Sequence, residues 1–184
     1  MEDGNGVYRR FLAGEDDAIA QLVASYRRGL YHYLLGLVHD PELADDLTED
    51  TFVKLLVKRP RNTETCSFRT WLYTIGRNLA IDHFRRQGRR AEVCFEDFSF
   101  LDWALPSAAE LYDAKTDAAL LGACMARLPD DQRQALYLRF FEDFSIGELA
   151  KILHLSRHNA SALVYRAKKS LKEELLKEGF TYEI

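Results

Sequence analysis

Apolar residues recur along most of this chain every three or four positions, the spacing of one face of a helix. Between Asp16 and Val38 the recurring set is Ile19, Leu22, Val23, Tyr26, Leu30, Tyr33, Leu34 and Leu37, which predicts a single long helix. His39-Asp40-Pro41 interrupts it. Proline suits the first position of a helix, so Pro41 opens a second one. That helix is predicted to run to about Val57 and to bury Leu43, Leu47, Phe52 and either Leu55 or Leu56. Lys58-Arg59-Pro60 ends it, and a polar loop from Asn62 to Cys66 follows. A third helix is predicted over Phe68–Arg86, with Phe68, Leu72, Ile75, Leu79 and Ile81 facing inward. No run of β-branched residues alternates between turn signals, so strands are not expected. The predicted class is all-α: two small helical domains joined by a linker, the C-terminal one a helix-turn-helix.

The helical period fails between residues 91 and 113. Acids mix there with Phe95, Phe98, Phe100, Trp103 and Tyr112, and Pro106 interrupts them. The stretch is predicted to link domain 1–90 to domain 114–184. It is too aromatic for a plain solvated spacer. A short helix packed on one domain and a segment that docks in a partner's groove both fit it.

The second domain begins near Thr116, with one helix to Leu128 and another from Pro129-Asp130-Asp131 to about Phe141. Its opening acids lie where the helix dipole favours them. Ser145-Ile-Gly-Glu148 is a capping box, a hydroxyl at the N-cap with a carboxylate three residues on. A short helix with Ile146, Leu149, Ile152 and Leu153 inward leads to a turn at His154-Leu155. Ser156 caps the next helix, whose buried stripe is Ala160, Leu163, Val164, Ala167, Leu171 and Leu175. Its other face carries Arg157, His158, Ser161, Ala162, Tyr165, Lys168, Lys169 and Lys172. Two capped helices around a tight turn form a DNA-reading unit whose second helix enters the major groove by its N-terminus. Arg157, His158, Ser161 and Ala162 would approach base edges, and Arg166, Lys168, Lys169 and Lys172 phosphates. A helical hairpin with a solvated basic face is the plainer alternative.

Charge sharpens this picture. The 184-residue chain has a net charge of −4, against a protein that coats nucleic acid indiscriminately. Yet Arg85-Arg86-Gln87-Gly88-Arg89-Arg90 holds four arginines and no acid, the segment Arg157–Lys172 is basic, and Glu92–Asp117 is acidic. Cys66, Cys94 and Cys124 are odd in number and form no CxxC pair, as expected of reduced thiols. No metal site and no cofactor is expected. No apolar run is long enough to span a bilayer, and the first residues do not read as a signal peptide. Membrane insertion is not expected, and the sequence points to the cytoplasm. No nucleophile–base pair or phosphate loop marks an enzyme.

Taken in order, these stretches resemble the sigma-70 superfamily of RNA polymerase sigma factors, in its extracytoplasmic-function branch, over nearly the whole chain. Asp45–Leu55 (DDLTEDTFVKL) resembles the segment that grips the β′ clamp helices of core RNA polymerase. Phe68–Arg86 (FRTWLYTIGRNLAIDHFRR) resembles the segment that melts and reads the −10 promoter element. Leu128–Leu171 resembles the domain that reads the −35 element. The resemblance implies a subunit with no catalytic residue of its own. Its partners would be core polymerase, through the β′ clamp helices and the β flap, promoter DNA, and an anti-sigma factor. The linker would thread the polymerase channel.

The chemistry fits these roles. Asp45, Asp46, Glu49 and Asp50 form an acidic ridge around Leu47 that suits a basic partner helix, with Leu47 or Phe52 as apolar anchor. An ordinary solvated face is the alternative. On the third helix Arg77, Asn78, Asp82, Arg85 and Arg86 lie off the apolar stripe. The resemblance puts Asn78 where the family contacts a base flipped out of the duplex, and an amide both donates to and accepts from a base edge. Arg85, Arg86, Arg89 and Arg90 suit backbone phosphates. Trp71 fits a core position better than a stacking platform.

Three departures stand out. His154 replaces the family's glycine in the turn, so a left-handed backbone is expected there. Ser161 and Leu163 replace basic residues on the recognition helix. The loop Asn62–Cys66 lacks the usual aromatic and glycine. No third domain is expected beyond Ile184. Two rival readings follow: a regulator that binds polymerase but reads promoters poorly, and a stand-alone helix-turn-helix repressor.

Overall fold

The computed structural model describes residues 4–58, 66–88 and 120–179. The linker 91–113, most of the Asn62–Cys66 loop, Cys94, Arg89 and Arg90 lie outside them. The described residues are helical, with no strand among them. The N-terminal helices are α1 (Gly4–Leu12), α2 (Asp17–Val38), α3 (Pro41–Lys58) and α4 (Phe68–Arg86). A helix over 120–126, here α5, opens the C-terminal group. It is followed by α6 (Asp130–Leu136), α7 (Ile146–Leu153) and α8 (Arg157–Lys177).

Helix α1 is absent from the sequence prediction. It is short, but it buries Val7, Tyr8 and Phe11 against α2 and α4. Its Asn5 side chain accepts the backbone N–H of Phe68 at 2.7 Å, satisfying one of the donors that the first turn of α4 leaves unpaired. Ser67 caps the same end, accepting from the Thr70 N–H at 3.2 Å. Asp40 does the same for α3, accepting from Glu42 and Leu43. Trp71 packs edge-on against Tyr8 and Phe68, a core position as expected.

The C-terminal half of α2 is buried all round, from Tyr33 to Val38. A helix apolar on every side needs neighbours on every side. Here α3, α4 and α6 all pack against α2. In α3 the buried stripe is Ala44, Leu47, Thr48, Thr51, Phe52 and Leu55. Both threonines meet their hydroxyl demand locally: Thr48 donates to the Ala44 carbonyl and Thr51 to that of Leu47, each at 2.7 Å.

α6 passes without a break into a π-helical turn, Tyr137–Phe141. The Glu142 N–H reaches back five residues to the Tyr137 carbonyl at 3.1 Å. The helix-turn-helix forms as predicted. Ser145 and Glu148 make both bonds of the capping box. His154 ends α7 in the left-handed region (φ 56), where Gly is the usual occupant and His is tolerated. Ser156 caps α8 through the Asn159 N–H at 3.1 Å.

The two helical groups, which the sequence places on either side of a linker, pack together. α4 lies against α7, and α2 meets α6. One apolar core runs from Val7 to Val164 across both groups. A smaller cluster of Met125, Leu128, Leu136 and Ala167 sits under α5. Phe11 is 1% exposed. Phe11→Ala is therefore expected to destabilise the protein by about 3–5 kcal/mol, read as a lower denaturant midpoint in urea.

Candidate functional site

On α3 the structure redraws the predicted polymerase surface. Leu47 (5% exposed) and Phe52 (6%) belong to the core and cannot anchor a partner. Asp45 is tied to Arg27 at 2.6 Å. Asp46, Glu49 and Asp50 do face solvent. Continuing along the same face, at helical spacing, come Val53, Leu56 and Val57, the last 76% exposed. The outer face of α3 thus runs from acidic to apolar. Helical spacing placed Leu47 and Phe52 in the core as well as at the partner surface; the structure keeps them in the core and turns Val53, Leu56 and Val57 outward.

On α4, Asp82 pairs with Arg85 at 3.6 Å, and Arg85 and Arg86 are exposed. Arg77 and Asn78 do not lie on an open polar face. The Arg77 guanidinium lies beside the Tyr33 hydroxyl, with its Nε buried. Its side chain lines a cleft shared with Gln134, Leu153, Asn159, Ala162 and Arg166 of the C-terminal group. The Asn78 side-chain carbonyl sits 2.9 Å from His154 Nε2, the ring of the turn residue between α7 and α8.

Along α8, Arg157, His158, Ser161, Tyr165, Arg166, Lys168 and Lys169 are exposed, and Ala162 is half-buried in the cleft beside Arg77. The basic face divides in two. Arg157, His158 and Ser161 surround the N-terminus of the helix. Lys168, Lys169 and Lys172 edge an apolar groove floored by Leu121, Met125 and Leu136 and flanked by Phe140 and Phe141. Lys168 Nζ lies 5.6 Å from the Phe140 ring centre. Phe140 is 53% exposed.

Two carboxylates of the C-terminal group hold α4. Glu142 accepts from Arg69 (2.5 Å) and Tyr73 (2.7 Å) on one side, and from Tyr137 (3.0 Å) on its own. Glu148, already engaged in the capping box, also accepts from Ser67 (3.1 Å) and Thr70 (3.0 Å). Rings close the same seam. Arg69 stacks 4.3 Å from the Phe144 centre, Tyr73 meets Phe144 edge-on, and Tyr33 lies parallel to Tyr137. Hydrogen bonds to a charged group contribute about 1.5–3 kcal/mol each.

Comparison with known proteins bears on these surfaces. Residues 22–90 match the family description Sigma-70 region 2, and residues 118–171 match Sigma-70, region 4. The chain is 32% identical over 164 residues to the ECF RNA polymerase sigma factor BldN of Streptomyces coelicolor, covering 88% of this chain and 62% of BldN. It is 31% identical over 162 residues to the RNA polymerase sigma factor YlaC of Bacillus subtilis, covering 88% of this chain and 94% of YlaC. Among solved structures it is similar to the sigma factor RpoE of Bartonella quintana, determined in complex with the anti-sigma factor NepR. The TM-score there is 0.66 at 25% identity, over 85% of this chain and 95% of that one.

The seam also has a pH sign. Burial, with the Arg133 charge nearby, pushes His39 down to about 4 from its ordinary 6.5. His39 ends α2 and Arg133 belongs to α6, so the pair spans the two groups. For Glu148, burial raises the pKa, but hydrogen bonds from Ser145, Thr70 and Ser67 outweigh it and hold the carboxyl below its usual range. Each group binds protons more readily in the unfolded chain, so stability rises with pH. The His39 contribution is full above 6.5 and is lost as pH falls toward 4. The Glu148 contribution follows below the ordinary carboxylate value. The urea midpoint is therefore expected to fall steadily from pH 7 to pH 4. His39→Gln should flatten the part of that fall between pH 6.5 and 4.

Proposed function

We propose, since the chain belongs to the sigma-70 family of RNA polymerase sigma factors in its extracytoplasmic-function branch, that it directs transcription initiation by binding core polymerase and reading two promoter elements. The observation that carries this reading is the pairing of a capped helix-turn-helix with a second helix, α4, that carries Asn78 and the exposed Arg85 and Arg86. A repressor needs only the first of these. An anti-sigma factor is a further proposed partner, and the cytoplasm the proposed compartment. The proposed domain division is 1–90 and 114–184.

Core polymerase binds the outer face of α3. Asp46, Glu49 and Asp50 steer a basic partner helix, and Val53, Leu56 and Val57 supply the desolvated contact that acids alone cannot. The groove beside Phe140 is assigned to the β flap, which it would receive as an apolar segment. Arg157, His158 and Ser161 read bases of the −35 element, with Ala162 at the edge of that contact. Arg166, Lys168 and Lys169 neutralise phosphates, with Tyr165 beside them. Asn78 holds the flipped base of the −10 element, and Arg85 and Arg86 the adjoining backbone. The polymerase performs the chemistry.

Run-off transcription with purified core polymerase tests the reading. Promoter-specific transcripts are expected only when both are present. Tight duplex binding without polymerase, and no transcript, would return the chain to the repressor class. Polymerase binding with no specific transcript would make it a regulator that reads promoters poorly.

Two variants examine the parts. Asp46→Lys with Asp50→Lys is expected to weaken core binding several-fold in a pull-down while leaving the fold intact, because both side chains face solvent; unchanged affinity would dismiss the α3 assignment. Asn78→Ala leaves a good helix former in place. It is expected to bind core polymerase normally yet open promoters poorly, read by permanganate footprinting of unpaired thymines. Flipping a base costs a few kcal/mol that its new contacts must offset. Normal opening by this variant would remove Asn78 from the site.

A further inference from the structure

We propose that the cleft between α4, α6 and α8 is a binding site for a free ribonucleotide. The cleft encloses about 400 Å³, within the range of small-molecule pockets. Its polar lining converges from three helices: Arg77 from α4, Asp131 and Gln134 from α6, Asn159 and Arg166 from α8. Leu153 at the end of α7, Leu155 in the turn and Leu163 on α8 supply an apolar wall. It shares no lining residue with the groove beside Phe140.

The protein does not use up these polar groups itself. Other arginines turned toward the packed helices have a carboxylate: Arg69 pairs with Glu142, and Arg133 with Asp130. Among the described residues no carboxylate lies within ion-pair reach of Arg77 or Arg166. Arg77 is half-buried, and its Nε is fully buried without a hydrogen-bond partner. Gln134 Oε1 is buried in the same state. Buried polar atoms are normally hydrogen-bonded. Two that are not, lining one cleft, mark a place where a ligand completes the bonding.

The set matches the three parts of a nucleotide. Guanidinium groups hold a phosphate through paired N–H donors. A carboxylate accepts from the hydroxyls of a ribose. Asp131 keeps an oxygen for this, since Oδ1 takes the Gln132 N–H at 2.8 Å and Oδ2 stays clear. Amides both donate to and accept from the edge of a base, and the leucines cover the face of a planar ring. An inorganic anion would leave the amides and the leucines without a role. Asp131 also selects the sugar. It would repel the adjoining phosphates of a DNA strand, whereas a single ribonucleotide offers it two hydroxyls. Because the lining comes from both helical groups, occupancy adds to the stability of the whole chain by mass action.

The test uses the full chain and the ribonucleoside 5′-monophosphates AMP, GMP, CMP and UMP, titrated one at a time by calorimetry. At least one should bind at a single site per chain and raise the thermal unfolding midpoint as its concentration rises. Inorganic phosphate should compete only weakly. Arg166→Ala and Arg77→Gln should each weaken that nucleotide at least about tenfold, because each removes a charge-assisted contact. Gln134→Leu should narrow the preference among the four bases. Asp131→Ala should bring the affinities of the ribonucleotide and its 2′-deoxy form together. A loss of packing alone would move neither ratio.

Should Arg77→Gln lose helix content by circular dichroism, Arg166→Ala decides, because Arg166 is exposed and its removal leaves the core intact. No binding by any of the four nucleotides would overturn the site, as would affinities unchanged in the arginine variants. Phosphate that binds as tightly as the nucleotides would make the cleft an anion pocket and overturn the ribonucleotide. A short single-stranded DNA that binds there while no free ribonucleotide does would overturn it too.

Discussion

A single carboxylate organises this molecule. Glu142 accepts from an arginine and a tyrosine of one helical group and from a tyrosine of the other. Buried acceptors of this kind are costly to leave unmet, so the three donors and the carboxylate fix one another. Their phenols register the same constraint. Burial, reinforced by the Glu142 charge, raises Tyr73 and Tyr137 far above the ordinary phenol value, so both remain hydrogen-bond donors throughout the accessible range. Around this centre the aromatic contacts fall into place, and the core becomes one body.

Much of the architecture was legible in the order of residues. The long helices α2, α3 and α4 follow from apolar spacing, and the helix-turn-helix follows from two serine caps and one capping glutamate. These are local signals, set within a few residues of one another. Three features escaped because they depend on distant partners. α1 spans few residues, and its apolar set of Val7, Tyr8 and Phe11 has meaning only once α4 offers a surface. On α3 the expected stripe of Leu47, Phe52 and Leu55 is buried and is joined by Thr48 and Thr51, while the apolar patch of Val53, Leu56 and Val57 faces outward, which spacing alone did not single out. The seam itself joins residues about seventy or more positions apart, beyond any periodicity.

The same contrast separates the candidate surfaces. Arg157, His158 and Ser161 stand where the sequence put them, because a capped helix carries its own directions. Asn78 and Arg77 were identified by type and position, yet their surroundings are set by the other helical group. A residue's chemistry was readable from its neighbours in the chain; whether that chemistry is available was not.

The π-helical turn at Tyr137–Phe141 gives the seam an unusual dependence on chain length. Such a turn is an α-helix carrying one extra residue. Removing that residue would let the helix relax to its ordinary pitch and swing everything after it by about 100°. Glu142 follows immediately, so its carboxylate would turn away from Arg69 and Tyr73 while α7 and α8 kept their own caps and internal packing. Relatives with one residue fewer at this point would carry the same two helical groups without the clasp between them. Insertion or deletion here, more than substitution, would change how the two helical groups meet.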